Sequence, residues 1–541
     1  MSVDIGNIKT VFVISVSVTI LYIGGCEKSV QKGIKAKEPS IETDLGTTIG
    51  SLAEVFSSDV IRVSGYGLVG GLDGTGSSEC PPNIRAYLEQ YILSQSPGID
   101  ANKLISGRDT AVVLIEALMP TAVLKNQYFD VKVSALSGTQ TTSLEGGWLY
   151  GSELKAAGSF GITTKVLAKA EGPVFIDTIA PLPADKKVGY ILGGGRVLDE
   201  YKISLALRQP DYRNVSLICN KLNGRYGSGT AKAVSPSQIE LKVPAKYKEL
   251  KDRFISIVKA TYLTETPETT KRRISRFIRQ LAVSEDKYAS EIALEAISNE
   301  SLGKLFALLN LSDEEVRFRA ARCILNLGSD EGLNTLRQIA SDKNSAYRVE
   351  ALEAITASAS RKDAAAISRR LLRDNDFDIR LAAYEQLRKL DDISVTQKLI
   401  ARSFYLEQIT QTEHKSIFVS RSGRPRIVLF GAPIYCRDNI FVQSADGNIT
   451  INAPSGQGYV SITRKHPEQP EIIAQLRSTF ELGNIIETLC EEPAKKHSQK
   501  PGGLGVSYAE ALALIKQMLD KGALEAEFRA GPLPKIDLII K

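Results

Sequence analysis

One phrase, written three times at a near-constant interval, limits what this 541-residue chain can fold into. Val316-Arg317-x-x-Ala320-Ala321-x-x-Ile324 recurs as Tyr347-Arg348-x-x-Ala351-Leu352-x-x-Ile355, and again as Ile379-Arg380-x-x-Ala383-Tyr384-x-x-Leu387. The arginines are 31 and then 32 residues apart, and Asp313, Asn344 and Asp376 each stand four residues before one of them. A weaker copy, Ile292-Ala293-Leu294-x-x-Ile297, precedes the three. A fixed period of this size marks a solenoid, because one such unit cannot bury its apolar face alone and must stack on the next. The apolar residues fall at i, i+3, i+4 and i+7, one face of a helix, and the small alanines permit close packing. Two helices per unit and three or four units are therefore expected over residues 271–400. Arg317, Arg348 and Arg380 are expected to tie each turn to its neighbour, since residues that recur in register with the fold serve packing before chemistry. The stretch is either a spacer or a surface for a protein partner, and the extended surfaces that solenoids present favour the second.

The two flanks read differently. Over residues 45–270 short apolar runs are separated by glycine. DVIRV (Asp59–Val63), AVVLIE (Ala111–Glu116), FDVKV (Phe129–Val133), ISLAL (Ile203–Leu207) and IELKV (Ile239–Val243) fit strands. Helices are expected at Ile84–Gln95 and, behind the Pro210-Asp211 start signal, at Tyr212–Gly224. Strand, helix and strand across 203–243 make a small α+β unit. The densest glycine run is SGYGLVGGLDGTG, Ser64 to Gly76. It is not a Walker loop, because Gly76 is followed by Ser77 and Ser78 and not by a phosphate-reaching lysine. Gly65, Gly67 and Gly70 have the dinucleotide spacing, but Gly71, Leu72, Asp73 and Gly74 read as a turn where that motif needs a helix. A strand, a turn and a structural loop are expected here, with no cofactor. Over 401–541 strands return at Ser416–Val419, Arg426–Phe430, Asn439–Val442, Asn448–Asn452 and Gly458–Thr463, with Asp446-Gly447 as a hairpin turn. Residues 491–503 read as a polar loop. An amphipathic helix is expected over Val506–Leu519, with Ser507 as N-cap and Gly522 as C-cap.

Two resemblances emerge from these residues. The repeated phrase resembles HEAT-type repeats. The run Gly65, Tyr66, Gly67, Leu68, Val69, Gly70, Gly71, Leu72, Asp73, Gly74, Thr75, Gly76 resembles the opening signature of flagellar P-ring proteins, GYGLVVGLNGTGD. The likeness continues in order through Phe129–Ser137 with Ser143-Leu144-Glu145-Gly146-Gly147, through Leu205–Tyr212, and through Asn220–Arg225 with Gly229-Thr230-Ala231. The stretch from Gly503 to Glu527 resembles the family's end. Residues 138–142 are longer than the family's turn, and Trp148-Leu149-Tyr150 replaces a more aliphatic segment.

The N-terminus speaks to compartment. Thr10–Ile23 is an apolar run of 14 residues, short for a membrane span but the length of a signal-peptide core. It ends at Gly24-Gly25-Cys26, which resembles a bacterial lipobox with Cys26 as the lipidated residue. Residues 1–25 are then a signal peptide and 26–44 a polar tether. The net charge of +6, from 68 basic and 62 acidic residues, is too mild and too dispersed to indicate nucleic acid. His414, His466 and His497 are scattered, and no Cys pair has metal-ligand spacing, so no metal site is expected. Without Cys26 the five cysteines are odd in number, which leaves at least one thiol free or paired between chains. No GxSxG elbow occurs and no histidine has a catalytic context, so no catalytic residue is expected.

The fold expected is α+β and multidomain. A glycine-rich, β-containing P-ring-like domain (45–270) is interrupted by an α-solenoid (271–400) and followed by a β-rich C-terminal region (401–541) ending in an amphipathic helix. The resemblance implies a structural subunit of a homo-oligomeric ring in the periplasm, around the flagellar rod. Its neighbours would be rod and L-ring proteins and the peptidoglycan, with a membrane held through the lipid anchor. The alternative is an envelope lipoprotein adaptor that uses the same fold outside the flagellum.

Overall fold

In the computed structural model, the residues described are 45–56, 60–120, 125–158, 164–180, 184–198, 203–248, 250–465, 473–493 and 502–536. Cys26, the signal segment and the tether lie outside them, as do His466 and His497. A helical turn, α1 (Ile49–Leu52), leads into β1 (Ala53–Phe56). The next strand, β2 (Val60–Gly70), runs straight through Gly65 and Gly67, so the turn comes only afterwards. Then follow α2 (Pro82–Gln95), α3 (Ala101–Ile105), β3 (Thr110–Pro120), β4 (Tyr128–Ala135), β5 (Trp148–Ala156), β6 (Ala168–Pro173) and β7 (Val188–Val197). These strands close a barrel in the order β2-β3-β4-β7-β6-β5, every pair antiparallel. Period-two alternation fills it: Ala111, Val113, Ile115, Ala117 and Met119 of β3 all point to the buried interior cluster. On the outside, Leu68 and Val112 are covered by Ile84 and Leu88 of α2 and Ile105 of α3.

The α+β unit follows as β8 (Ile203–Leu207), α4 (Tyr212–Tyr226), β9 (Ala231–Ser235) and β10 (Gln238–Leu241), backed by α5 (Lys251–Ala260). Its sheet has the order β1-β8-β10-β9. The Asp211 carboxylate caps α4 by accepting from Arg213 N at 2.8 Å.

Eight helices make the next stretch: α6 (Pro267–Val283), α7 (Lys287–Ile297), the short α8 (Leu302–Leu305), α9 (Glu314–Asn326), α10 (Glu331–Ser341), α11 (Arg348–Ser358), α12 (Arg361–Leu371) and α13 (Phe377–Lys389). Pro267 and the Thr266–Thr269 capping box start α6. The weak copy of the phrase sits on α7 and the three strong copies on α9, α11 and α13. Ala320, Ala321, Ala351 and Ala383 are fully buried where these helices meet.

The chain then returns to strands: β11 (Thr396–Ile400), β12 (Phe404–Ile409), β13 (Ser416–Val419), β14 (Arg426–Phe430), β15 (Ile440–Gln443), β16 (Ile449–Ala453), β17 (Val460–Lys465) and β18 (Ile473–Ser478). Helices α14 (Leu482–Cys490) and α15 (Tyr508–Asp520) precede the last strand, β19 (Glu527–Ala530). Two sheets result, β11-β12-β14-β13-β19 and β15-β16-β17-β18. Ser507 caps α15 in a box with Glu510, and Gly522, at φ +70°, turns the chain away from its end. The solenoid does not stop at its own core. Tyr384 and Leu387 of α13 share one buried cluster with Ile409, Phe418, Val428 and Phe430 of the five-stranded sheet. Cys80, Cys219, Cys323, Cys436 and Cys490 are all free thiols.

Candidate functional site

The glycine signature is consumed by packing. A Cβ on Gly65 would collide with the carbonyl oxygen of Glu153 on the paired strand β5, and one on Gly76 with the carbonyls of Arg108 and Thr110. One on Gly67 would meet Ile115 Cδ1 at 2.7 Å inside the barrel. Gly71 and Gly74, at φ +74° and +82°, form the turn that follows. Four of its amides are spent as well. Leu72 N donates to Asp109 O at 3.0 Å, Gly74 N to Asp109 Oδ1 at 2.9 Å, Thr75 N to Leu72 O at 2.9 Å and Gly76 N to Arg108 O at 2.8 Å. A phosphate cradle needs such amides free and convergent, so this loop is a brace. The Thr75 hydroxyl donates to Leu72 O at 2.8 Å or to Ser143 O at 2.9 Å, and Thr142 N donates to Thr75 O at 2.9 Å. Leu72 and Leu144 lie buried in one cluster. The first two signature motifs, far apart in sequence, are therefore one structural unit. Tyr66 and Leu68 face outward under α2.

The later motifs serve the other sheet. Asn223 accepts from Ala231 N and donates to Ala231 O, both at 2.9 Å, which pins α4 to β9. Arg225 reaches into the helical insert and donates to the carbonyls of Glu295, at 2.6 Å, and Ala296 at the end of α7.

A buried ionic cluster lies at that same boundary. Glu291 of α7, fully buried, accepts from Arg253 of α5 at 2.6 Å, from Arg322 of α9 at 2.6 and 2.7 Å, and from Arg319 at 3.2 Å. Glu295, one turn on, accepts from Arg253 Nε and Asn326 Nδ2, each at 3.1 Å. Burial alone would raise the Glu291 carboxyl; the Arg253 charge and then Arg322 outweigh it and hold the group down at about 2. A second cluster holds the other end of the solenoid. Buried Glu407 on β12 accepts from Arg388 Nε at 2.9 Å and from the Tyr384 hydroxyl. The sequence reading missed both clusters. The available signal was Glu291 and Glu295, i and i+4 on a helix with little polar surface.

Arg317 donates to Leu311 O and Ser312 O, both at 2.7 Å, and Arg380 to Asp374 O at 2.9 Å and Asn375 O at 2.8 Å. Each clasps the turn before its own helix. Arg348 donates to Ala340 O at 3.3 Å and pairs with Asp374 at 2.5 Å. Asp313 and Asp376 cap α9 and α13, whereas Asn344 caps nothing: Tyr347 stands at that position before α11.

The barrel and the C-terminal region meet directly. Phe175 and Leu192 belong to the same buried cluster as Tyr508, Ala511 and Leu512 of α15. The Phe175 and Tyr508 rings are 5.9 Å apart. Asp130 on β4 accepts from Gly193 N at 2.7 Å and from Gly423 N at 2.8 Å. Arg421 pairs with Asp177 at 2.8 Å. The Tyr508 hydroxyl donates to Ser420 O at 2.7 Å, or to Arg426 O at 2.9 Å. Among the described residues no three His, Cys, Asp or Glu side chains are grouped to hold a metal ion, and no helix is long and apolar enough to cross a membrane.

Comparison with known proteins agrees with this division. Residues 48–274 match the family model for the flagellar P-ring protein, and residues 302–388 match that for HEAT repeats. The chain is similar to flagellar P-ring proteins of Anaeromyxobacter sp. strain K (33% identity over 220 residues, 37% of this chain and 56% of the relative) and Thermotoga maritima (29% over 211 residues, 36% and 61%). For that of Leptospira interrogans the figures are 28% over 243 residues, 40% and 64%. The chain thus spans about three fifths of the length of the relatives it matches. The region that carries the signature glycines and the barrel matches the flagellar P-ring protein family, and the solenoid that follows it matches HEAT repeats over residues 302–388.

Proposed function

We propose that this chain is a structural, non-enzymatic subunit of a cell-envelope ring, the P ring of the flagellar basal body around the rod. Its neighbours in this reading are further copies of itself, rod and L-ring proteins, and the peptidoglycan. The chain is periplasmic and is held to the outer membrane by a lipid on Cys26, after removal of residues 1–25 and across the tether of 26–44. The observation that carries the reading is the use of the signature glycines. They make close strand contacts and a hydrogen-bonded brace, as a scaffold requires, and four amides of the turn are spent inside it. Arg317, Arg348 and Arg380 act in this reading as packing residues of the repeats.

A second reading, an envelope lipoprotein adaptor outside the flagellum, is favoured by one feature. The HEAT insert is clamped at both ends by buried charges, which suits a rigid platform for another protein. Deletion of the gene separates the two. Loss of swimming, with rings absent from basal bodies and restored by the intact gene, is expected for the ring subunit. Normal swimming with a defective envelope would contradict the ring reading and support the adaptor.

A further inference from the structure

The outer wall of the barrel exposes two aromatic side chains beside a carboxylate. Trp148 and Tyr150 of β5 point outward and are 50% and 47% exposed. Trp148 lies between Gly70 and Pro173 in the neighbouring strands. The Tyr150 ring lies against the bare backbone of Gly70, where an added Cβ would sit 2.7 Å from Cε2. One ring face is thereby fixed on the strand. The strand irregularity between Leu149 and Ser152 places Gly151 beside it, and the exposed Glu171 carboxylate crosses there, 3.6 Å from where a Cβ of Gly151 would be. Glu153 on the same wall has Lys155 at 3.6 Å and Lys169 opposite in the β5–β6 register. No cation pairs with Glu171 among the described residues. The Tyr91 phenol of α2 is pushed up to about 12 by burial and then by the Glu153, Tyr87 and Glu171 groups. An aromatic platform beside an unpaired carboxylate suits a guanidinium, which stacks on a ring and takes a carboxylate through its planar fork.

The same chain offers the complement. Arg272, Arg276 and Arg279 stand at i, i+4 and i+7 on α6, all exposed, and the stripe ends on Val283, which is 80% exposed. Arg272 has only Glu268 at 3.7 Å, both groups open to solvent. Arg276 and Arg279 have no carboxylate partner among the described residues. Two different, complementary patches on one chain are what a head-to-tail contact between identical subunits needs.

We infer that the Trp148–Tyr150–Glu171 face of one copy receives the α6 arginine stripe of a second copy, with Arg276 paired to Glu171. This rests on the ring reading above and names its contact. Sedimentation velocity on the full chain in detergent tests it with Glu171→Arg, Arg276→Glu and the two together, all at exposed positions. Each single reversal is expected to weaken self-association at least tenfold, and the double variant, which exchanges the charges, to regain most of the loss. Wild-type association left intact by both single variants would overturn this contact and leave the ring reading standing. Singles that weaken it without recovery in the double would overturn the Glu171–Arg276 pairing. A wild-type chain that stays monomeric at every concentration reached would overturn the ring reading and this contact together.

Discussion

Glu291→Leu is expected to destabilise the protein by about 3–5 kcal/mol, the usual cost of breaking a buried ion pair from one side. The carboxylate is fully buried, and its loss leaves Arg253, whose own side chain is 6% exposed, with Glu295 alone, and leaves Arg322 and Arg319 short of a partner. Arg253→Met alone should cost a comparable amount, because buried Glu295 then loses its paired cation and keeps Asn326, while Glu291 is left to Arg322 and Arg319. The Arg253→Met/Glu291→Leu double variant should lose less than the sum, since the Arg253–Glu291 pair is then removed from both sides while Glu295 keeps Asn326; a double-mutant cycle in urea measures that coupling. The same group sets a pH dependence. Its ordinary value is 4.5 and its folded value is about 2, so the folded state holds the ionised form more firmly than the unfolded chain does. Its stabilising contribution is complete above pH 4.5 and is lost as the pH falls through the interval toward 2. Acid unfolding of the Glu291→Leu variant should accordingly be less steep there than that of the wild type.

The second large effect is expected at Leu512. This side chain is fully buried on α15, in the cluster that also takes Phe175 and Leu192 from the barrel part of the chain. Leu512→Ala removes three carbons at a place where two distant segments meet, and should cost about 2–5 kcal/mol, the range for a leucine cavity that cannot collapse. Because α15 also positions Tyr508 against Ser420 and Arg426, the variant should loosen the β13–β14 turn together with the barrel contact. Denaturant titration followed by tryptophan emission reports it, since the chain has one tryptophan, Trp148, and that lies on the barrel. A separate transition for Trp148 in Leu512→Ala, earlier or later than the loss of helix, is the expected mark of a weakened joint.

Local signals made much of the architecture legible. The phrase around Arg317, Arg348 and Arg380 identified the solenoid because a helix writes its buried face at fixed spacing. Ser507 with Glu510 announced α15 through chemistry confined to one turn. Strands such as Ile203–Leu207 and Arg426–Phe430 are apolar enough to be seen alone. What escaped was decided elsewhere in the chain. β9 (AKAVS) and β11 (TQKLI) are edge strands with exposed side chains, so they carry no apolar alternation, and only their partners β10 and β12 make them strands. That β2 continues through its glycines depends on the carbonyl of Glu153, which nothing near Gly65 specifies. Glu291 and Arg253 are 38 residues apart, and a glutamate on a helix looks solvent-facing until the guanidinium that neutralises it is known.

All of this requires that the barrel and the C-terminal region form one body, with the solenoid clamped between two attachments. The Gly423 amide probes that most directly. It sits in a surface turn and donates to Asp130, 293 residues earlier in the chain, and no local group explains its protection. Hydrogen exchange of the segment containing Gly423 should be slow in the wild type. It should accelerate in Asp130→Ala, while the α9–α12 segments keep their wild-type rates. Fast exchange at Gly423 in both proteins, at the rate of an open loop, would mean that the two regions do not hold one another.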